Sequence, residues 1–289
     1  MPSPFDLKNE SAYQRWRGQK LAQAPRSVEE LIIEVRDPRA LSVVEHEAVM
    51  QRIHQCNMAI YASPAYEEDS AIPRLLGRQF GLEHLDANWL ADEDGVSEIQ
   101  VSGGTRRSYI PYTDRPIKWH TDGYYNPPER TIRAMVLHCV RSAAEGGENR
   151  LMDHEMAYLL LRDANPDFIR ALQAEDAMNI PERTDENGVA RAAQSGPVFS
   201  LDENGAVHMR YTARTRSIEW KQDELTLAAV ALLEKLLATD SSCIFRARLE
   251  PGMGLLCNNV LHDRAGFSDN ADHSRLLYRA RYYDRIAGT

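Results

Sequence analysis

The 289-residue chain is 43% hydrophobic and 27% charged, an ordinary globular composition that excludes disordered and fibrous classes. With 43 acidic side chains against 34 basic ones, its formal net charge of -9 offers no broad basic surface, so nucleic acid is not an expected partner. No apolar run approaches membrane-spanning length and the opening MPSPFDLK lacks a secretory pattern, so the expectation is a cytoplasmic protein with no membrane partner.

In chain order, a polar helix near Glu10–Ala24 leads to a strand at Leu31–Val35, a helix at Ser42–Gln55, a strand at Met58–Ala62 and a helix around Ile72–Phe80. Val43, Val44, Val49, Met50 and Ile53 fall on one helical face, the pattern of a helix lying on a sheet. From about Ser97 short β-type runs dominate: Glu98–Val101, Arg107–Ile110, Ile132–Val140, Val198–Leu201, Val207–Tyr211, Cys243–Leu249, Gly254–Cys257 and Leu276–Tyr283. Many short strands argue for a sandwich or barrel. Two helical insertions interrupt them, Glu155–Ala174 and Glu219–Ala238, the second with a core-facing stripe of Leu225, Ala228, Leu232, Leu233 and Leu236. With no repeat and no interdomain linker, one domain over 1–289 is expected. The polar stretch Pro181–Ser195 is the candidate mobile loop or lid. Cys56, Cys139, Cys243 and Cys257 form no C-x-x-C pair and read as reduced, mostly buried small hydrophobes.

The chemistry centres on Trp119-His120-Thr121-Asp122, followed far along the chain by Leu261-His262-Asp263. At the end of a strand the period of two puts His120 and Asp122 on one face, where an imidazole and a carboxylate can reach one metal ion. A third ligand must come from elsewhere, and His262, just past the run Gly254–Cys257, is placed for a neighbouring strand to deliver it. Two histidines and one carboxylate form the facial triad typical of iron(II) oxygenases, leaving three adjacent positions open. Alone, His-x-Asp is weak. Here it stands in order with Gly146-Gly147-Glu148-Asn149, Pro251-Gly252, Asn259 before His262, and Ser274-Arg275-Leu276-Leu277-Tyr278-Arg279 after it.

Through these stretches, WHTDGYYNPPERTIRAMVLHCVRSAAEGGENRLMD and PGMGLLCNNVLHDRAGFSDNADHSRLLYRARYY, the chain resembles the taurine dioxygenase family of Fe(II)/2-oxoglutarate enzymes, akin to γ-butyrobetaine hydroxylase. The resemblance implies a mainly β fold with helical insertions around a distorted double-stranded β-helix, or jelly roll. The catalytic jelly roll would span 96–289, with an α+β part over 1–95 packed on it. It implies His120, Asp122 and His262 as iron ligands and Arg275 as the partner of the distal carboxylate of 2-oxoglutarate, which a guanidinium can hold with two parallel hydrogen bonds. Arg279 resembles the arginine that some members aim at an anionic substrate or at the inner end of the co-substrate, and the spacing from His262 leaves Arg275 and Arg279 as alternatives for the distal carboxylate. Asn149 stands where many members have threonine, and its amide can still donate to 2-oxoglutarate. Dioxygen completes the cofactor set, and a homo-oligomer accords with family habit. Asp122 speaks against halogenation, since halogenating relatives replace this carboxylate by a small residue.

The implied activity is hydroxylation of a small anionic or zwitterionic organic substrate with release of succinate and CO2. Desaturation or cyclisation by the same iron chemistry, a non-catalytic jelly-roll sensor, and a zinc hydrolase with the same three ligands are the competing readings. Candidate substrate residues are Tyr124, Arg210 and Tyr211. With Tyr125, converging tyrosine rings could hold a quaternary ammonium at roughly 0.5–2 kcal/mol per ring. Arg210, Arg214 or Arg216 could instead face a carboxylate or sulfonate.

Overall fold

The computed structural model describes residues 3–86, 95–103, 109–185, 188–215 and 218–289. Two sheets carry the fold. In spatial order the larger contains β1 (Ile32–Glu34), β2 (Met58–Ala62), β8 (Met253–Cys257), β5 (Ala134–Arg141), β10 (Leu276–Tyr282) and β3 (Ser97–Ile99). The smaller contains β7 (Phe245–Ala247), β6 (Asn149–Met152), β9 (Leu261–Arg264) and β4 (Ile117–His120). β1 and β2 pair in parallel and every other neighbouring pair in these sheets is antiparallel.

The alternation along β5 shows how the layers arise. Ala134, Val136 and Val140 face a layer shared with Val49 and Ile53 of helix α2 (Val43–Cys56) and Leu76 of helix α3 (Ile72–Gln79). Met135, Leu137 and Cys139 face the opposite way, into a core completed by Leu151, Phe245 and Ala247 of the smaller sheet. A third layer covers the outside of the smaller sheet. There Trp119, Met152 and Leu261 meet α4 (His154–Ala164), α5 (Pro166–Leu172) and α6 (Glu224–Ala238), and Trp119 Nε1 donates to Leu237 O at 3.1 Å. Helix α1 (Glu10–Gln23) docks on α4 through Tyr13, whose hydroxyl donates to Asp163 at 2.7 Å, and through Lys20, buried between Asp153 (2.6 Å) and Glu155 (2.5 Å). On β10, Leu276, Tyr278, Ala280 and Tyr282 face the α2–α3 layer while Leu277 faces between the sheets, and the same inward face continues as Arg279 and Arg281. An apolar strand face thus becomes cationic at one end of the sandwich.

This is the mainly β, helix-inserted jelly roll expected from the sequence, with several local differences. Ser42 caps α2 through a reciprocal pair of hydrogen bonds with Glu45, which leaves Val43 and Val44 on the first turn 74% and 75% exposed; the buried face is Val49, Ile53 and Cys56. The helix expected over Glu155–Ala174 is two helices, because Pro166 forces Asn165 out of the helical region (φ -164°) and Asn165 then caps α5. α6 starts only at Glu224, where Asp223 accepts from Thr226 N, and buries Thr226, Ala229, Val230, Leu233 and Leu237; Leu225 and Ala228 are exposed. In a helix so rich in Leu and Ala, two adjacent stripes are equally apolar and packing selects between them. Of the expected strand Arg107–Ile110, 107–108 lie outside the described residues, and Ile110 opens a 3-10 turn, Ile110–Tyr112, rather than closing a strand. In place of a loop, Pro181–Ser195 contains the antiparallel hairpin Arg183–Asp185/Gly188–Arg191, and Gln194–Gly196 pairs with Met178–Ile180. All four cysteines are unpaired, and Cys56, Cys139 and Cys257 are buried. Among the described residues no helix is long and apolar enough to cross a membrane.

The layering makes one prediction about pH. His138 on β5 is fully buried, with Nδ1 2.9 Å from the Tyr61 hydroxyl, and burial pushes its pKa down to about 4. Below its ordinary value of about 6.5 the unfolded chain takes up a proton that the folded protein refuses, so this group's effect is absent above that pH and destabilising on descent towards 4. Unfolding free energy from urea titration should fall by about 2 kcal/mol from this group between pH 7 and 5. His138→Gln should flatten the slope by that amount, and an unchanged slope would contradict the assignment.

Candidate metal centre

β4 and β9 run antiparallel with His120 directly opposite His262, and their imidazole centroids are 4.2 Å apart. Asp122 lies two residues beyond His120 and turns to the same side. Thr121, between them, faces away: its N donates to Tyr211 O at 3.0 Å and its Oγ1 accepts from Tyr211 N at 3.1 Å. The chain then turns sharply at Gly123 (φ +70°), where a Cβ would run into Ile132, so only glycine fits. One ligand atom from each of His120, Asp122 and His262 lies within 4.8 Å of the others, and among the described residues no other group of three His, Cys, Asp or Glu side chains converges in this way.

The protonation states suit a cation. His120 Nδ1 lies 2.9 Å from Lys118 O and His262 Nδ1 2.9 Å from Val260 O. A carbonyl only accepts, so each Nδ1 carries a hydrogen and each Nε2 is the ring nitrogen left to face the cluster. Burial, and then the neighbouring His120, push His262 down to about 4, which keeps it neutral. Burial alone would raise the Asp122 carboxyl, but Arg279, His120, Arg281 and His262 together hold it well below the usual carboxylate range. Arg279 Nη1 stands 3.2 Å from Asp122 Oδ2, yet that buried oxygen has no properly aligned hydrogen-bond donor. Two imidazole Nε2 atoms beside an ionised, under-satisfied carboxylate fit a divalent ion of the iron class.

One residue ties the two halves of this cluster together. Asn259, buried and in the left-handed region (φ +48°), accepts from Asp122 N at 2.8 Å and donates to Asp122 O at 2.9 Å and to Ile132 O at 2.7 Å. The sequence marks Asn259 only as a neighbour of His262; its partner lies 137 residues away and leaves no local signal.

Beside the cluster, two buried guanidiniums lie over the Phe267 ring, Arg264 at 4.9 Å and Arg275 at 5.0 Å from its centroid. Arg264 donates to the carbonyls of Pro111, Thr113 and Arg115, and burial followed by Arg275 pushes it down to about 9. Arg264 leaves only its buried Nε without a partner, whereas in Arg275 it is the terminal Nη1 that is buried and unpartnered, and burial lowers its pKa. Gly147 lies against Arg275, a Cβ there standing 3.4 Å from Arg275 Nε in ordinary contact, and it is its left-handed backbone (φ +75°) that calls for glycine. An unsatisfied planar donor fits a carboxylate of a bound oxo acid. Asn149 donates to Asp263 O at 2.8 Å, which leaves one amide hydrogen for a ligand, while its Oδ1 is buried without a donor.

The expected substrate residues separate. Tyr124 lies beside the cluster, its ring edge-on to His120 at 6.5 Å, with Tyr125 5.1 Å beyond. Tyr211 instead turns into the helical layer, fully buried and stacked on Trp220 at 6.2 Å, because its backbone, not its ring, pairs with Thr121; the aromatic cage does not form. Arg210 is a brace: it donates to Tyr124 O (2.7 Å), Gln194 O (2.6 Å) and Met178 O (3.2 Å), and burial, then Arg191, push it down to about 10. With its nitrogens committed to carbonyls it does not face a substrate anion. Arg214 is exposed, and Arg216 lies outside the described residues. Sequence reasoning missed Arg281 and Asp86. Arg281 pairs with buried Asp86 and donates to the Tyr125 hydroxyl at 3.2 Å, while Asp86 also holds Arg130 (2.8 Å) and Tyr283 (2.6 Å). The period of two from Arg279 marks Arg281 as inward-facing; nothing local marks Asp86.

Residues 73–281 match the family described as taurine catabolism dioxygenase TauD, TfdA family. A uridine-5'-phosphate dioxygenase from Amycolatopsis sp is 32% identical over 273 residues, covering 88% of this chain and 97% of the relative. A second uridine-5'-phosphate dioxygenase, from Streptomyces sp, is 28% identical over 238 residues, covering 77% and 81%. The solved structure of the non-heme iron oxygenase OrfP in complex with Fe and alpha-ketoglutaric acid superposes with a TM-score of 0.61 at 16% identity, over 92% of this chain and 89% of that one, and shows the same fold.

The Asn259 clamp is testable by stability. Asn259→Ala strands Asp122 N, Asp122 O and Ile132 O and puts in the left-handed region a residue that tolerates it less well than asparagine, so urea unfolding should show a loss of about 2–4 kcal/mol. Asn259→Gly, which relieves the backbone but not the stranded groups, should recover only about 1 kcal/mol of it. Recovery to wild-type stability would mean that the amide contributes nothing.

Proposed function

The chain belongs to the taurine catabolism dioxygenase TauD, TfdA family, and on that premise we propose that His120, Asp122 and His262 bind its iron, Arg275 its 2-oxoglutarate, and that its substrate is a phosphorylated nucleoside of the uridine-5'-phosphate kind. The protein is a 2-oxoglutarate-dependent non-haem iron dioxygenase that hydroxylates a small molecule. The observation that carries the ligand assignment is the convergence of three ligand atoms within 4.8 Å, with both imidazole Nδ1 atoms held by carbonyls.

When bound, iron(II) with 2-oxoglutarate and dioxygen supplies the oxidant that converts a substrate C–H to C–OH, releasing succinate and CO2. The residues' own tasks follow from their surroundings. His120, Asp122 and His262 would hold the ion through two imidazole nitrogens and one carboxylate oxygen. Arg275 orients the distal carboxylate with two parallel charge-assisted hydrogen bonds, and Phe267 against its face excludes water and strengthens them. The remaining amide hydrogen of Asn149 is a further donor for that co-substrate. Arg279 has its terminal Nη1 3.2 Å from Asp122 and helps keep that carboxylate ionised, whereas the terminal Nη1 of Arg275 has no partner, which favours Arg275 for the distal role. Tyr124 borders the open side next to His120. Support for a nucleotide substrate comes from the Amycolatopsis relative, matched over 97% of its length. The unpaired cysteines support a reducing compartment, the cytoplasm.

Adding iron(II) and 2-oxoglutarate anaerobically to metal-free protein should produce a weak visible charge-transfer band. His262→Ala should abolish it, and Arg275→Ala should raise the 2-oxoglutarate needed roughly 10- to 100-fold, the worth of a charge-assisted hydrogen bond. In air, uridine-5'-phosphate should stimulate succinate formation and taurine should not. An intact band without that stimulation would remove the nucleotide and leave the cofactor assignment standing.

A further inference from the structure

We infer that Arg191, carried on the Arg183–Asp185/Gly188–Arg191 hairpin, is the residue that recognises the phosphate of the substrate, a specificity determinant outside the iron and 2-oxoglutarate sites. This rests on the nucleotide reading of the substrate given above.

The geometry is a row of rings leading outward from the metal cluster. The His120 imidazole is followed by Tyr124 at 6.5 Å, then Tyr125 at 5.1 Å, and the Arg191 guanidinium lies 5.7 Å from the Tyr125 ring centroid. Arg281 reaches the same tyrosine from inside, donating to its hydroxyl at 3.2 Å. Two cations therefore converge on Tyr125, one at its face and one at its edge.

Their charges are not equally engaged. Arg281 is matched by Asp86, Arg279 by Asp122, and the nitrogens of Arg210 hold three carbonyls. Arg191 donates to Pro181 O at 2.7 Å and, among the described residues, forms no ion pair. It is half-buried, so its charge has lost part of its hydration without gaining a carboxylate. Burial lowers its pKa, and the nearby Arg183 lowers it further. In a chain of net charge -9, acidic side chains are abundant, and this cation is nevertheless left unmatched at the outer end of the row of rings that starts at His120. A phosphate monoester supplies the missing charge, and its oxygens match the guanidinium fork. Arg183, on the same hairpin, is committed elsewhere: it donates to the Tyr109 hydroxyl at 2.9 Å and lies over that ring at 4.8 Å.

The test uses the iron-loaded enzyme with 2-oxoglutarate, and calorimetry of the metal-free protein, with uridine-5'-phosphate and uridine as probes. Arg191→Gln should raise KM and Kd for uridine-5'-phosphate roughly 10- to 100-fold, change kcat and the KM for 2-oxoglutarate little, and erase the preference over uridine. Arg191→Lys, which keeps the charge without the fork, should fall between. Arg183→Gln, the hairpin control, should behave as wild type. If Arg191→Gln binds uridine-5'-phosphate as wild type does, or if Arg183→Gln loses binding equally, the inference is overturned while the substrate reading stands. If wild-type protein neither binds nor oxidises uridine-5'-phosphate, the substrate reading fails and takes the inference with it.

Discussion

The antiparallel register between Ile117–His120 and Leu261–Arg264 sets His120 directly opposite His262, and a slip of one residue would turn one imidazole to the other face of the sheet. Several independent contacts oppose that slip. Leu261 and His262 pair on their other side with Met152 and Leu151, and Trp119 and Leu261 are buried in the helical layer. Thr121 is fastened to Tyr211 through both its backbone and its hydroxyl. Asn259 then carries the Asp122 turn to the segment that delivers His262. The metal cluster therefore inherits its geometry from strand pairing, and the side chains need only point where the pleat already sends them.

Charge is distributed to the same end. Arg264, Arg275, Arg279 and Arg281 are gathered at one end of the sandwich in a protein whose formal net charge is -9. They tolerate one another because each has a different partner: carbonyls for Arg264, Asp122 for Arg279, Asp86 for Arg281, and an aromatic face with an unused donor for Arg275. Net charge describes the surface that diffusing macromolecules meet; a small basic pocket hidden behind it is invisible to that sum.

What could be read from the sequence alone follows the same division. That His120 and Asp122 share a face was legible because a period of two needs no knowledge of the fold; His262, on another strand, was read from the run that precedes it and the order of the motifs, and Arg275 from its family position. The centre of the larger sheet was legible in the apolar runs of β5, β8 and β10. Partnerships between distant residues were not: Asp86 with Arg281 and Asn259 with Asp122 each span more than a hundred positions. Tyr211 misled because a strand shows its alternation but not which layer each face meets. The face of α6 misled because Leu and Ala make neighbouring stripes equally greasy. Arg210 was read as free because a sequence does not show the backbone carbonyls that capture a guanidinium.

Arg210 also divides the hairpin region into two mechanical parts. Its guanidinium joins Met178 O and Gln194 O, at the base, to Tyr124 O beside the metal cluster. The base is thereby fixed to the reaction centre, whereas Arg183–Asp185 and Gly188–Arg191 pair only with each other among the described strands. A lineage can rewrite that outer ribbon to suit a new substrate without disturbing the groups that hold the ion. Such a partition makes one oxygenase scaffold evolvable across many substrates while its chemistry stays constant.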